Sequence, residues 1–304
     1  MLLGEPGGAE LGSLACGQVW TCPVCAYAVR TVRGQEAAVL ADAHLRSGGR
    51  AWAVTCELGE GPQALAARWQ LLSAAWRRVV SGSGWAAESR RSNRAGLAWS
   101  PAVTWQDGTG WRPVLRVLLL DRPGREELHQ EVVARWAAQW STGAGSSTAQ
   151  VYWRALADSS GVAEHVAAPC DGSAGRRGSA GALGPADILA RARCEDRSSW
   201  WELWQEYARA ATPAHRGHRA PVTFTRGLRS AVPSLGHRTD AELAAESARA
   251  GLPPLSGRAW QALARDGALQ LRVLDAALRG PAHLAWSLAD HGLPTVDQVR
   301  LAAA

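Results

Sequence analysis

The feature that most limits how this chain can fold is a pair of apolar runs around one tight turn. "LAWSPAVTW" (97–105) and "WRPVLRVLLL" (111–120) flank "QDGTG", an Asp-Gly turn between strand-like segments, and so predict a β-hairpin. Strand side chains alternate between faces, which puts Arg112, Val114 and Arg116 on one side and Pro113, Leu115 and Val117 on the other. The run ends in four consecutive apolar residues, Val117–Leu120, the pattern of a strand entering a buried sheet. Two guanidinium groups on such a strand need a face that the fold leaves open.

The flanking segments supply the rest of a sheet. A helical pattern runs from Pro23 to about Arg46 and stops at Gly48-Gly49, and "RAWAVTCEL" (50–58) reads as a strand. Pro62 opens a helix with Leu65, Trp69, Leu72, Trp76 and Val79 on one stripe. After the hairpin come a helix over roughly 125–140, a strand "VYWRAL" (151–156) and a short helix over 162–167. Strand, helix, strand, strand, helix, strand is the split βαβ, ferredoxin-like order. The predicted class is α+β: an antiparallel sheet, first and third strands innermost, helices on one face, then a mainly helical C-terminal domain. Pro101 and Pro113 are expected where strand pairing is incomplete.

Composition divides the chain into four stretches. Residues 1–15 are Gly-rich and expected to be loose; 16–170 hold the sheet; 171–185, "DGSAGRRGSAGALGP", are a Gly/Ser/Arg linker; 186–304 are helical, with Trp200, Leu203, Trp204, Tyr207 and Ala211 in one register. That aromatic stripe reads as core rather than as a base-stacking platform.

All 33 Lys and Arg positions are Arg, and the net charge is +6. A guanidinium fork suits phosphate. The same composition, with 32 Gly, one Phe and one Met, also matches the codon bias of a GC-rich genome, so charge alone does not settle the partner. The start "MLLGEPGGAE" lacks the basic and apolar regions of a secretory signal, and no run approaches the roughly 18 apolar residues of a membrane span. Six Cys in a chain this long predict reduced thiols and a cytoplasmic protein.

"CGQVWTCPVCAYAVR", "AWAVTCEL", "VTWQDGTGWRPVLRVLLL", "SGVAEHVAA", "LWQEYARAA" and "VTFTRGLRSAV" occur in the order and spacing of replication initiators of rolling-circle plasmids from GC-rich bacteria. The chain resembles that family, part of the HUH endonucleases, from Cys16 to about Leu293. The resemblance implies origin DNA, single- or double-stranded, as partner and a host helicase as a further one, with no membrane. It also implies a Gly-Trp-His-Pro-His-x-His strand holding Mg or Mn, and a tyrosine that attacks a phosphodiester and stays joined to the 5′ phosphate.

This sequence departs at those positions. The three strand histidines fall on Arg112, Val114 and Arg116, the neighbouring acidic residue on Ala102, the tyrosine on His165 and a following lysine on Ala168. Arg and Val offer a metal no lone pair. Metal-dependent nicking is therefore expected to be lost or much reduced, and no catalytic Mg or Mn is expected. Three alternatives stay open: an initiator with a substituted centre, a nuclease using other groups such as Tyr152, and a non-catalytic DNA-binding regulator or relic. In the first, Arg112 and Arg116 hold a phosphate without cutting it; in the last, they are drift.

Two further sets stand out. Cys16, Cys22 and Cys25 form C-x5-C-x2-C, three candidate ligands of a structural zinc that needs a fourth, such as His44 or Cys56. The bland alternative is three thiols packing a helix. Arg219, Arg226 and Arg229, with His215, Arg216 and His218, make a basic stretch for DNA backbone or, equally, a solvated face.

Overall fold

The structure is a computed structural model, and it describes residues 19–59, 64–122, 129–167, 182–194, 198–212, 220–232, 235, 238–249, 269, 272–273 and 287–293. It contains α1 (Pro23–Arg46), β1 (Arg50–Glu57), α2 (Leu65–Val79), α3 (Gly82–Arg91), β2 (Arg94–Gln106), β3 (Gly110–Asp121), α4 (His129–Ala144), β4 (Gln150–Leu156), α5 (Val162–Ala167), α6 (Pro185–Cys194), α7 (Ser198–Ala210), β5 (Thr223–Phe224) and α8 (Asp240–Arg249).

The sheet is antiparallel with order β4-β1-β3-β2-β5, so β1 and β3 are inner strands as expected. The hairpin closes at Asp107–Thr109, where Gly108 and Gly110 take positive φ (79° and 75°) and the Asp107 carboxylate accepts the Gly108 N–H at 3.0 Å. Pro113 pairs with Val103 on one side only, because β1 ends at Glu57 opposite Val114. Its missing N–H therefore interrupts no ladder there.

One face is sealed by tryptophan. Trp69 and Trp76 of α2 and Trp136 and Trp140 of α4 are buried. Trp76 lies against Trp99 and Trp136, and Trp136 against Trp153. Two of the indole N–H groups find acceptors in the interior: Trp136 Nε1 donates to Glu88 at 3.0 Å and Trp140 Nε1 to the Glu57 carbonyl at 2.8 Å. From α7, Tyr207 packs on Trp69 and Trp111, and Trp200 on Trp105. Along the aromatic stripe of α7, Trp200, Tyr207 and, just past its end, Ala211 are buried, and Leu203 and Trp204 are half-buried. Glu206 of the same helix accepts the Leu65 N–H at 2.8 Å, capping an α2 start whose own Ala64 offers no side-chain acceptor.

The cover extends further than the expected single layer. Leu118 and Leu120 share a face with Arg116, yet both are buried in a cluster with Ala37, Leu40 and Ala41 of α1 and Val162 and Val166 of α5. Helices thus close one face fully and the second over the end where β3 finishes. Close contact of α1 and α5 depends on Gly34, where a Cβ would lie 2.5 Å from the Ala167 methyl and 2.8 Å from the Ala163 carbonyl.

The chain forms two compact units, Val29–Ala192 with Arg197–Arg238, and Met1–Ala28 with Arg193–Asp196 and Thr239–Ala304. β5 pairs with β2 at Ala98↔Phe224 and Trp99↔Thr223, and α7 belongs to the same unit. Residues 168–181, most of the expected linker, lie outside the described residues. Among the described residues no helix is long and apolar enough to cross a membrane.

Candidate nucleic-acid interface

The register fixes which side chains share the half-open face. Thr55 of β1 lies opposite Arg116 on one side and Tyr152 on the other, while Ala53 lies opposite Leu118 and Arg154. On β2, Ser100 faces Arg116, Ala102 faces Val114 and Thr104 faces Arg112. Arg112, Val114 and Arg116 are each half-buried on this face, as the alternation predicts; Tyr152 is 50% exposed. Over β2 the face is closed by Arg30 of α1, which donates to the Ser100 hydroxyl at 2.9 Å and the Pro101 carbonyl at 3.1 Å.

α5 sets His165 over the middle of this surface. A carbonyl only accepts, so Nε2–H of His165 donates to the Val117 oxygen at 3.2 Å. Burial, then the Arg116 charge, then that of Arg154 push the imidazole down to about 4, against partial support from the Val117 and Val54 backbone. It is neutral at physiological pH. A buried neutral ring with one nitrogen committed to the sheet is poorly placed to be a nucleophile.

Arg112 and Arg116 share this face, four residues apart on β3. Arg112 lies 3.7 Å from the Glu57 carboxylate and 3.5 Å from Gln106 Oε1, so its charge is partly met inside the protein. The cation that joins Arg116 around His165 is Arg154, exposed on β4. Sequence reading missed it because nothing in "VYWRAL" marks the Arg; only the register Arg154↔Ala53↔Leu118 sets it on this face, with β1 between it and β3.

The metal site implied by the resemblance does not fit these residues. Two guanidinium groups and a valine supply no electron pair, and their charge repels a cation.

Of the remaining candidates, Ala168 and Arg219 lie outside the described residues, as do His215, Arg216 and His218. Arg226 is exposed. Arg229 is turned inward: its Nη2 meets the buried Glu36 at 3.0 Å, and Glu36 also holds Arg33 at 2.8 Å. That places Arg229 in an internal ion cluster fastening α1, not in a basic surface.

Cys16 also lies outside the described residues; Cys22 is half-buried and Cys25 buried. Cys56 is buried on the tryptophan side of β1, where burial and the nearby Glu57 push its thiol up, away from the thiolate that zinc requires. His44 has its Nε2 2.8 Å from the Asp121 carbonyl. Among the described residues no group of three or more His, Cys, Asp or Glu is gathered as a metal site.

No family model matches the chain, and no solved structure matches it. It is 27% identical over 135 residues to the "Neomycin resistance protein" of Streptomyces cyanogenus, covering 36% of this chain and 31% of that protein. Against "Protein rep" of Streptomyces lividans it is 26% identical over 351 residues, which cover 87% of this chain and 74% of the relative. Over most of its length, then, this chain is similar to a Streptomyces Rep protein.

Proposed function

We propose that this protein is a replication-initiator-like DNA-binding protein of the rolling-circle type, acting in the cytoplasm on plasmid origin DNA. Its half-open sheet face grips a phosphate through Arg116 and Arg154 in place of the metal-dependent cleavage of the HUH family. The observation that carries the reading is that Arg116 and Arg154 both lie on the face where the resemblance expects metal and nucleophile, and that both charges act on the neutral His165. Guanidinium groups bind phosphate oxygens, and neither they nor Val114 offer the lone pairs that would hold a catalytic metal. Similarity to "Protein rep" supports the assignment to origin DNA. A structural zinc on Cys16, Cys22 and Cys25 is part of the proposal; native mass spectrometry should find one zinc per chain, and a folded metal-free protein overturns that part.

The test uses supercoiled DNA carrying the sequence that flanks the gene. A salt-dependent gel shift is expected, with no open circles after incubation with magnesium or manganese. Open circles with protein joined to the 5′ end would sink the non-cleaving reading, and no shift at low salt would sink DNA binding altogether.

A further inference from the structure

At the end of the sheet where β1 starts and β4 stops, a groove of about 400 Å³ opens between the C-terminus of α1 and the N-terminus of α4. Leu45, Ala155 and Leu156 give it apolar walls, Trp52 and His129 an aromatic one, and Arg50 a cation. The volume is within the range of pockets that take small organic ligands. Arg50, Trp52 and His129 also line a smaller adjoining cavity, whose wall includes the exposed Arg122.

The aromatic wall is built rather than incidental. The His129 ring lies parallel to Trp52, centroids 3.8 Å apart at 11°, and meets Trp153 edge-on at 5.5 Å. Burial and the charge of Arg50 hold the His129 imidazole below its ordinary range. The groove therefore presents a neutral stacked ring beside guanidinium charge. Flat apolar walls call for a planar ring system, and Arg50, the one cation among the described residues lining the groove, calls for an anion attached to it, held away from the Asp121 carboxylate of the adjoining cavity.

We propose that this groove binds a nucleoside phosphate, the base seated among Leu45, Ala155 and the Trp52–His129 stack and the phosphate on Arg50. That chemistry is shared by a free nucleotide and by one unpaired nucleotide of a DNA strand. The site lies at the opposite end of the sheet from Arg112 and uses neither Arg116 nor Arg154, so it stands apart from the phosphate grip proposed above.

Equilibrium dialysis of the full chain against radiolabelled dAMP, dGMP and deoxyadenosine tests it. Saturable binding is expected, with nucleotide preferred over nucleoside. Ala155→Phe, which fills the groove from an exposed position, should weaken binding roughly tenfold. Arg50→Gln should abolish the preference for nucleotide, a change that a folding defect would not mimic; Arg154→Gln should leave nucleotide binding intact. If Ala155→Phe also weakens a short single-stranded oligonucleotide, the occupant is part of a DNA strand; if the oligonucleotide is unaffected, it is a free nucleotide. Either result upholds the site. Absence of saturable binding up to about 1 mM, or binding untouched by both Ala155→Phe and Arg50→Gln, overturns it.

Discussion

His165 Nε2 is held 3.2 Å from the main-chain oxygen of Val117, so the side chain standing where the resemblance expects a nucleophilic tyrosine is a fixed donor to the sheet. Its folded pKa of about 4 lies below the ordinary 6.5. Above pH 6.5 folded and unfolded chains both carry neutral imidazole, and the group contributes nothing to pH dependence. Between 6.5 and 4 the unfolded chain takes up a proton that the folded chain refuses. Stability then falls, by about 3 kcal/mol across that window. Urea unfolding from pH 7.5 to 4 should therefore show a shallower loss for His165→Gln than for the native chain. Parallel curves would mean that the imidazole is not buried neutral.

Arg116 of β3 and Arg154 of β4 flank that ring, while Arg112 lies further along β3. Arg116→Gln and Arg154→Gln should each weaken DNA binding and lower the slope of log affinity against log salt by roughly one. Arg112→Gln should change the slope less, because Glu57 lies 3.7 Å from Arg112 and meets part of its charge within the protein. Filter binding across a salt series measures all three. Equal effects of Arg112 and Arg116 would place the phosphate lower on the strand.

What the sequence revealed depended on how local the signal was. The hairpin, the inner position of β3 and the limits of α1 follow from alternation, an Asp-Gly turn and Gly48, all legible within a few residues. The cover on the second face was not legible, because Arg30, Arg33 and Glu36 are buried in α1 and blur its apolar stripe. β5 pairs at only two positions and is held by contacts distant in sequence, Thr225 Oγ1 accepting the Leu97 N–H at 3.1 Å among them. α3 opens with two glycines in its first turn and escapes a propensity argument. Arg154 and the inward turn of Arg229 are matters of register and packing, which no single segment encodes.

Gly34 gives a direct handle on the position of His165. A Cβ at 34 meets the Ala167 methyl at 2.5 Å and backbone of Ala163 at 2.8 Å, and neither can swing aside. Gly34→Val should destabilise the fold by about 1–3 kcal/mol and displace α5. The ring should then lose its place at Val117, so its NMR-detected pKa should rise toward 6.5. A variant as stable as the native chain, with His165 still titrating near 4, would show that the helices do not touch there.

Glu88 is the most heavily committed carboxylate among the described residues. Arg94 Nη2 reaches it at 2.6 Å, Arg135 Nε also donates to it, and Trp136 Nε1 does so at 3.0 Å. Arg94 in turn lies 3.6 Å from Asp121 and 4.2 Å over the Trp85 ring, so one carboxylate ties α3, α4 and the start of β2 together. Burial raises the pKa of Glu88, but the hydrogen bonds from Arg135 and Arg94 and the Arg94 charge outweigh it and hold the group ionised below the usual carboxylate range. Glu88→Gln leaves the nearly inaccessible Arg94 without its principal counter-charge and should cost about 3–5 kcal/mol. Arg135→Gln should cost much less, since that side chain is 23% exposed and water replaces part of what is lost. A group with a depressed folded pKa stabilises above its unfolded value and loses that contribution as pH falls through the folded one. The native chain should accordingly lose stability below about pH 4.5 more steeply than Glu88→Gln. Chemical denaturation of the three proteins at pH 7 and pH 3.5 measures both effects; a Glu88→Gln variant as stable as the native chain at pH 7 would show that this network does not hold the helices to the sheet.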